Sequence, residues 1–75
     1  MAPATLNQIF TYHPPIGDQT ARYMQLREAA LAFAKTVQTL TPPSREQSVA
    51  LTNIQQAVMW ANAAIAINEV AKESE

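Results

Sequence analysis

The sequence predicts an all-α protein in which a short N-terminal helix precedes a long antiparallel helical hairpin, assembled as a homo-oligomer. The 75 residues are 48% hydrophobic but include one glycine, a composition that favours a few long helices over many turns. Two proline pairs, Pro14–Pro15 and Pro42–Pro43, divide the chain, because consecutive prolines cannot continue a helical hydrogen-bond ladder. Between these breaks, apolar residues recur at spacings of three and four, the pattern of a helix with one apolar face.

The opening segment predicts a first helix over about residues 3–11. Pro3 suits the first turn of a helix, where its missing N–H removes no hydrogen bond. The apolar residues at helical spacing in this segment are Leu6, Ile9 and Phe10. The stretch "YHPP" then ends the helix, since tandem prolines hold the residues before them in extended conformations. Tyr12 and His13 are therefore expected on a stiff arm.

A second helix is predicted over about residues 18–40, with Asp18 as a candidate N-cap. The apolar seam of this helix comprises Tyr23, Leu26, Ala30, Phe33, Val37 and Leu40. The prolines of "TLTPPS" end it, and a third helix is predicted over about residues 44–72, where Ser44 and Gln47 have the spacing of a capping box. The seam of the third helix comprises Leu51, Ile54, Val58, Ala61 and Ile65. The short turn between the two long helices predicts an antiparallel hairpin.

The last helix carries a second apolar stripe on another side, comprising Trp60, Ala63, Ile67 and Val70. One partner helix covers one side only, so we expect another surface to bury this stripe. Trp60 is the expected anchor of a contact between subunits, with Ala63 and Ile67 in the same interface. The alternative is that the N-terminal helix folds back over the stripe within one chain. Self-association is favoured, because a lone hairpin buries too little surface to offset its ordering entropy.

Composition argues against several functions. The chain has no cysteine, one histidine and no glycine-rich loop, so we expect no catalysis, no metal and no cofactor. Five lysines and arginines and a net charge of -1 argue against binding to DNA or long RNA. The sequence shows neither a signal peptide nor an apolar run that spans a bilayer, and we therefore expect a cytoplasmic protein without membrane contact.

A site for a small anion that carries a flat ring is compatible with this composition. Tyr12 on the proline-stiffened arm can stack on a planar ligand, and Arg27, or less favourably Arg22, can bind a phosphate. The alternative is that Tyr12 only packs the arm against the hairpin, while Arg27 pairs with a neighbouring carboxylate. Residue chemistry alone leaves both interpretations open.

Three strings of residues resemble a known family: "YHPP", "RYMQLREAALAFAKTV" and "PPSREQSVALTNIQQAVMWANAAIA". From about Tyr12 to Asn68, the chain resembles the small phage proteins that share the anti-CBASS and anti-Thoeris hairpin domain. Those proteins act as sponges for immune signalling nucleotides. The C-terminal string is the most diagnostic of the three, whereas "YHPP" alone is a weak signal.

The resemblance implies a homohexamer of hairpins in the cytoplasm of an infected bacterium. The resemblance further implies that this hexamer binds cyclic dinucleotides, such as cyclic GMP-AMP, in pockets shared between protomers. It would keep them from CBASS effectors without cleaving them. In this family an aromatic residue on the N-terminal arm stacks on a base, and a cation on the following helix contacts phosphate. Tyr12 and Arg27 match these positions, with His13 and Pro14 shaping the pocket wall. Two alternatives stay open: a structural or regulatory helical oligomer without a small ligand, and a sponge for the cyclic ADP-ribose isomers of Thoeris.

The chain departs from the family pattern after "AIA" in the last helix. Members of the family often carry an arginine there, associated with a second pocket that takes cyclic trinucleotides where three chains meet. This chain has Ile67, whose aliphatic side chain cannot donate a hydrogen bond to phosphate. We therefore expect strong binding of cyclic dinucleotides and weak or absent binding of cyclic triadenylate. Packing alone also explains Ile67, because it continues the stripe from Trp60.

Overall fold

The computed structural model describes residues 4–69 and is all-helical over that range. It comprises α1 (Leu6–Phe10), α2 (Gln19–Leu40) and α3 (Arg45–Asn68). The two long helices pack against each other as a hairpin, and α1 packs on α3. The expected all-α class, with a short helix before a longer helical pair, is confirmed. The expected start of the first helix at residue 3 and the expected end of the third helix at residue 72 lie outside the described residues.

Side-chain caps define where α1 and α3 begin. Thr5 and Gln8 form a complete capping box at α1, in which Thr5 Oγ1 accepts from the Gln8 N–H at 3.2 Å and Gln8 Oε1 accepts from the Thr5 N–H at 2.7 Å. Sequence analysis did not identify this box. At α3, Ser44 Oγ accepts from the Gln47 N–H at 3.1 Å, as expected. The Gln47 side chain, however, donates to the backbone oxygen and the hydroxyl of Thr41, both at 3.0 Å, and so ties α3 to the end of α2.

The start of α2 depends on the single glycine of the chain. Gly17 has a φ of +55°, in the left-handed region that a side chain disfavours. Asp18 occupies the N-cap position, but its side chain makes no capping hydrogen bond. Its carboxylate instead accepts from Arg22 Nε at 3.1 Å, one helical turn along α2. The expected N-cap position is therefore correct, whereas the expected capping bond is replaced by an ion pair.

A clamp formed by Gln19, Arg22 and Glu69 joins the start of α2 to the end of α3. Gln19 is the only buried polar residue among those described, at 3% exposure. Its Oε1 accepts from the Ile16 N–H, and its Nε2 donates to the Glu69 backbone oxygen, both at 3.0 Å. Arg22 donates to both carboxylate oxygens of Glu69, and this bidentate pairing lowers the pKa of Glu69. The open end of the hairpin is thus closed by polar contacts.

The hairpin seam agrees with the predicted pattern at most positions. All five predicted seam residues of α3 are half-buried, as are Tyr23, Leu26, Ala30 and Val37 of α2. The other two predicted positions of α2 are more exposed: Phe33 is 58% exposed although it lines a groove between the two helices, and Leu40 is 76% exposed. Ala34, the next residue along α2, is half-buried. Leu40 is the last residue of α2 and adjoins the proline turn. Since α3 begins only at Arg45, it does not cover Leu40.

No hydrophobic side chain is buried within residues 4–69, because two helices and a short third one cannot enclose a core. Large apolar side chains remain exposed on several sides of the hairpin, including Phe10, Leu31, Phe33, Met59 and Trp60. None of the three helices in the described part of the chain combines the length and apolar character needed to cross a membrane.

Candidate functional site

Two depressions lie between α2 and α3. The larger, which we term the apolar groove, has a volume of about 560 Å³ and is lined by small and aliphatic residues together with Phe33 and Asn53. The smaller, which we term the polar pocket, has a volume of about 300 Å³. The residues that line the polar pocket are Tyr23, Arg27, Asn62, Ala63 and Ala66.

The polar pocket owes its shape to the sizes of the side chains around it. Tyr23 and Arg27 are one helical turn apart on α2, so both project from the same side of that helix. Ala63 and Ala66 face them from α3 and leave room between the helices because they carry only a methyl group. The result is a small depression with an aromatic wall and a cation at one side.

Arg27 has no salt bridge to any carboxylate of the described residues. Arg22, the less favoured candidate for a phosphate contact, is instead held by Asp18 and Glu69 in the clamp. Within residues 4–69, the alternative pairing of Arg27 with a neighbouring carboxylate therefore does not occur. Its guanidinium is available to an anion that enters the polar pocket.

Asn62 lies in the polar pocket with an unusual hydrogen-bonding state. Its Oδ1 is shielded from solvent and has no hydrogen-bond partner among the described residues. A shielded amide oxygen without a donor carries a desolvation penalty of about 1–3 kcal/mol. Sequence analysis missed this residue as a candidate. The available signal was that Asn62 is the single polar residue in the run from Ala57 to Ile67.

The N-terminal arm is held at both ends. His13 Nε2 donates to the Gln8 backbone oxygen at 2.6 Å, which fixes the arm to α1, and the Ile16 N–H donates to the clamp residue Gln19. Tyr12 is 82% exposed, and Pro14 is also exposed. Neither of them lines the polar pocket. A single chain therefore does not bring Tyr12 or Pro14 to Arg27, and His13 has a structural contact within the arm.

The expected interface stripe divides into two parts. Trp60 is 74% exposed, whereas Ala63 and Ile67 are half-buried. Val70 lies outside the described residues. The short helix α1 does pack on α3, as the alternative interpretation proposed, but it leaves Trp60 uncovered. Ala63 also lines the polar pocket, so the stripe and the pocket share a residue.

Within residues 4–69, no group of three or more histidine and acidic side chains is placed to hold a metal ion. The polar pocket offers groups that can recognise a small molecule. Arg27 can bind an anion, the ring of Tyr23 can contact a flat or apolar group, and the amide of Asn62 can accept or donate a hydrogen bond.

Comparison with known proteins gives the family. A sequence model described as "Acb2/Tad1, hairpin domain" matches residues 2–66, which is most of the chain. Comparisons with curated proteins and with solved structures gave no significant match. The matched region contains α1, the arm, α2 and all of α3 except its last residues, and therefore the complete polar pocket. The chain belongs to the Acb2/Tad1 hairpin-domain family, the anti-CBASS and anti-Thoeris sponges.

Proposed function

We propose that this protein binds cyclic dinucleotides such as cyclic GMP-AMP in the cytoplasm of an infected bacterium and sequesters them without cleaving them. Family membership implies an anti-defence sponge that binds cyclic nucleotide signals. The single observation that carries the choice of ligand is Arg27, a cation without a carboxylate partner among residues 4–69, on the wall of a ring-sized pocket. A phosphate beside a planar base matches that arrangement.

The pocket of one chain is too small for the whole ligand. About 300 Å³ is at the lower limit of small-molecule sites, and a cyclic dinucleotide carries two bases, two sugars and two phosphates. We propose that a second copy completes the site and contributes its own Arg27 and the exposed Tyr12 of its arm. Two aromatic rings and two cations then face a ligand that is itself nearly two-fold symmetric. A homohexamer provides three such shared sites.

The arm supports this arrangement through its stiffness. Tandem prolines and the two hydrogen bonds at its ends limit the conformations that the arm samples before binding. Less conformational freedom is then lost when Tyr12 stacks on a base, and this preserves affinity. A sponge must compete with an effector for the ligand, which requires a Kd on the order of 1 nM, or about -12 kcal/mol.

The second candidate is a sponge for the cyclic ADP-ribose isomers of Thoeris signalling. These ligands also combine a purine with phosphates, so the same cation and ring can serve them. The two phosphates of an ADP-ribose isomer lie in one pyrophosphate, however, whereas two copies of Arg27 across a shared site suit two separated phosphates. We therefore favour the cyclic dinucleotide.

Calorimetry with cyclic GMP-AMP, cyclic triadenylate and cyclic ADP-ribose isomers tests the proposal. We expect tight binding of cyclic GMP-AMP and weak binding of cyclic triadenylate, for which Ile67 offers no phosphate donor. Ligand released by heating is expected to be chemically intact. Recovery of a linear hydrolysis product would show an enzyme, and failure of cyclic GMP-AMP to bind would overturn the proposal.

A further inference from the structure

The strongest feature that the proposed function leaves unexplained is Asn62. Its side chain lines the polar pocket together with Tyr23 and Arg27, while its Oδ1 has neither solvent nor a hydrogen-bond partner among residues 4–69. In the rest of this part of the chain, no other side-chain nitrogen or oxygen is shielded from solvent without a partner. Such an atom weakens the folded state, so its presence beside a ligand pocket points to a partner outside the described residues, and a bound ligand is the natural one.

We propose that Asn62 determines the specificity of the polar pocket by accepting a hydrogen bond from the nucleoside part of the ligand. The inference rests on the proposed function and deepens it. Rotation about χ2, a soft torsion in asparagine, turns Oδ1 towards the pocket that the side chain already lines. The partner must then be an N–H or O–H group that enters between α2 and α3.

The chemistry of the ligand restricts which group can serve. Phosphodiester oxygens only accept hydrogen bonds, so they suit Arg27 and cannot satisfy Oδ1. A cyclic dinucleotide such as cyclic GMP-AMP carries donors at the exocyclic amino groups of its purines, at N1–H of its guanine and at its free ribose hydroxyls. Arg27 and Asn62 thus divide the recognition: the guanidinium binds phosphate, and the amide oxygen reads a donor on the base or the sugar.

The amide oxygen also explains how one pocket can distinguish ligands of equal charge. Arg27 contacts phosphate only, so it does not distinguish ligands that differ in their bases or sugars. A site built to hydrogen-bond a particular donor rejects an analogue that lacks it, because its own buried polar atom is then left unpaired. Discrimination among cyclic dinucleotides, whose phosphates have the same arrangement, is therefore expected to depend on Asn62 rather than on Arg27.

Calorimetry tests the assignment when the protein and the ligand are each altered alone and then together, as in a double-mutant cycle. The probes are cyclic GMP-AMP, its 2′-deoxy analogue and an analogue with unsubstituted purine in place of both bases, which removes every donor of the bases. With the unaltered protein, one analogue should bind about tenfold or more weakly than cyclic GMP-AMP, which identifies sugar or base as the donor. Asn62→Leu should bind cyclic GMP-AMP equally weakly. Combining the variant with that analogue should weaken binding no further, because both changes remove the same hydrogen bond.

Thermal unfolding separates this role from a structural one. Leucine has a similar size and removes the unpaired oxygen, so Asn62→Leu should have an unchanged or raised Tm without ligand. Gln55→Leu is the matched control, since Gln55 lies two turns earlier on the same side of α3, is exposed and lines neither depression. It should bind as the unaltered protein does.

Three results would overturn the inference: tight binding by Asn62→Leu, additive reductions in affinity with every analogue, or a lowered Tm in Asn62→Leu alone. Failure of the unaltered protein to bind cyclic GMP-AMP would overturn the proposed function as well. Tight binding by the unaltered protein together with any of the three results would overturn the role of Asn62 alone.

Discussion

Arg22 and Arg27 lie on the same helix, but their surroundings assign them different tasks. Arg22 is engaged by two carboxylates, and these contacts raise its pKa further above its already high value. Arg27 has no carboxylate partner within residues 4–69 and stands on the wall of the polar pocket. The clamp therefore engages Arg22 and leaves Arg27 available to a ligand.

Replacement of Arg27 by alanine is expected to weaken binding of cyclic GMP-AMP by about tenfold to a hundredfold for each phosphate group that the guanidinium binds. The helical fold should not change, because Arg27 is exposed and makes no salt bridge in the described structure. Calorimetry and circular dichroism measure the two effects. Arg45→Ala is the control, since it removes an exposed arginine of equal charge far from the pocket. Equal affinities of the two variants would contradict the role of Arg27 in binding phosphate.

Tyr12 is expected to act through its ring rather than through its hydroxyl. Tyr12→Ala should reduce the binding free energy by roughly 2–6 kcal/mol, because two copies each stack on one base of a shared ligand. Tyr12→Phe keeps the ring and should retain most of the affinity. The Tm of the protein without ligand should be unchanged in both variants, since Tyr12 is exposed. Wild-type affinity in Tyr12→Ala would remove the stacking role.

Individual residues were predictable from the sequence only where their role depends on local chemistry. Arg27 was singled out for its chemical type, and it lines the polar pocket, whereas its contact with phosphate stays a prediction. Asn62 was missed, since an amide within an apolar run indicates a function only when the structure shows its oxygen unpaired. Spacing placed Phe33 on the side of α2 that faces α3, but it does not reveal that this ring lines an open groove and stays 58% exposed.

At the scale of the elements, the clamp of Gln19, Arg22 and Glu69 holds the open end of the hairpin as the proline turn holds the other. The helices themselves were predictable, because proline breaks and apolar spacing are local signals. The clamp was not, since it joins residues about fifty positions apart in the sequence, and no local pattern relates them. Predicting it requires the register of α2 against α3.

The clamp predicts a pH dependence. Because the pKa of Glu69 is lowered in the folded state, the pair stabilises the fold at pH values above the ordinary carboxyl pKa of about 4.3, and this contribution disappears as the pH falls through the lower folded value. Thermal unfolding measured from pH 7 to pH 3 should show this decrease in stability. Glu69→Gln should be less stable at pH 7 and should show a weaker acid dependence. An identical pH profile in this variant would contradict the role of the pair.

The whole molecule has no enclosed core within residues 4–69 and leaves Trp60 exposed, which agrees with a fold completed by other copies. Trp60→Ala is expected to cost the assembly about 3–5 kcal/mol for each tryptophan that the interface encloses. Light scattering should show a smaller species, while the isolated chain changes little in stability because Trp60 contacts solvent there. Leu40→Ala, at another exposed apolar position near the proline turn, is the control. An oligomer of unchanged size and stability would remove Trp60 from the interface.

The charges of Arg22 and Glu69 also interact with the dipoles of the helices that carry or adjoin them. Arg22 lies in the first turns of α2, and Glu69 directly follows α3, so each charge stands at the helix end whose partial charge has the same sign. Either residue alone would therefore oppose its own helix. Only the antiparallel alignment in which they meet cancels both penalties, and a slip of one turn, about 5.4 Å along the axis, would separate them. The pair consequently selects one register for a hairpin whose apolar seams repeat at spacings of three and four and would otherwise tolerate several.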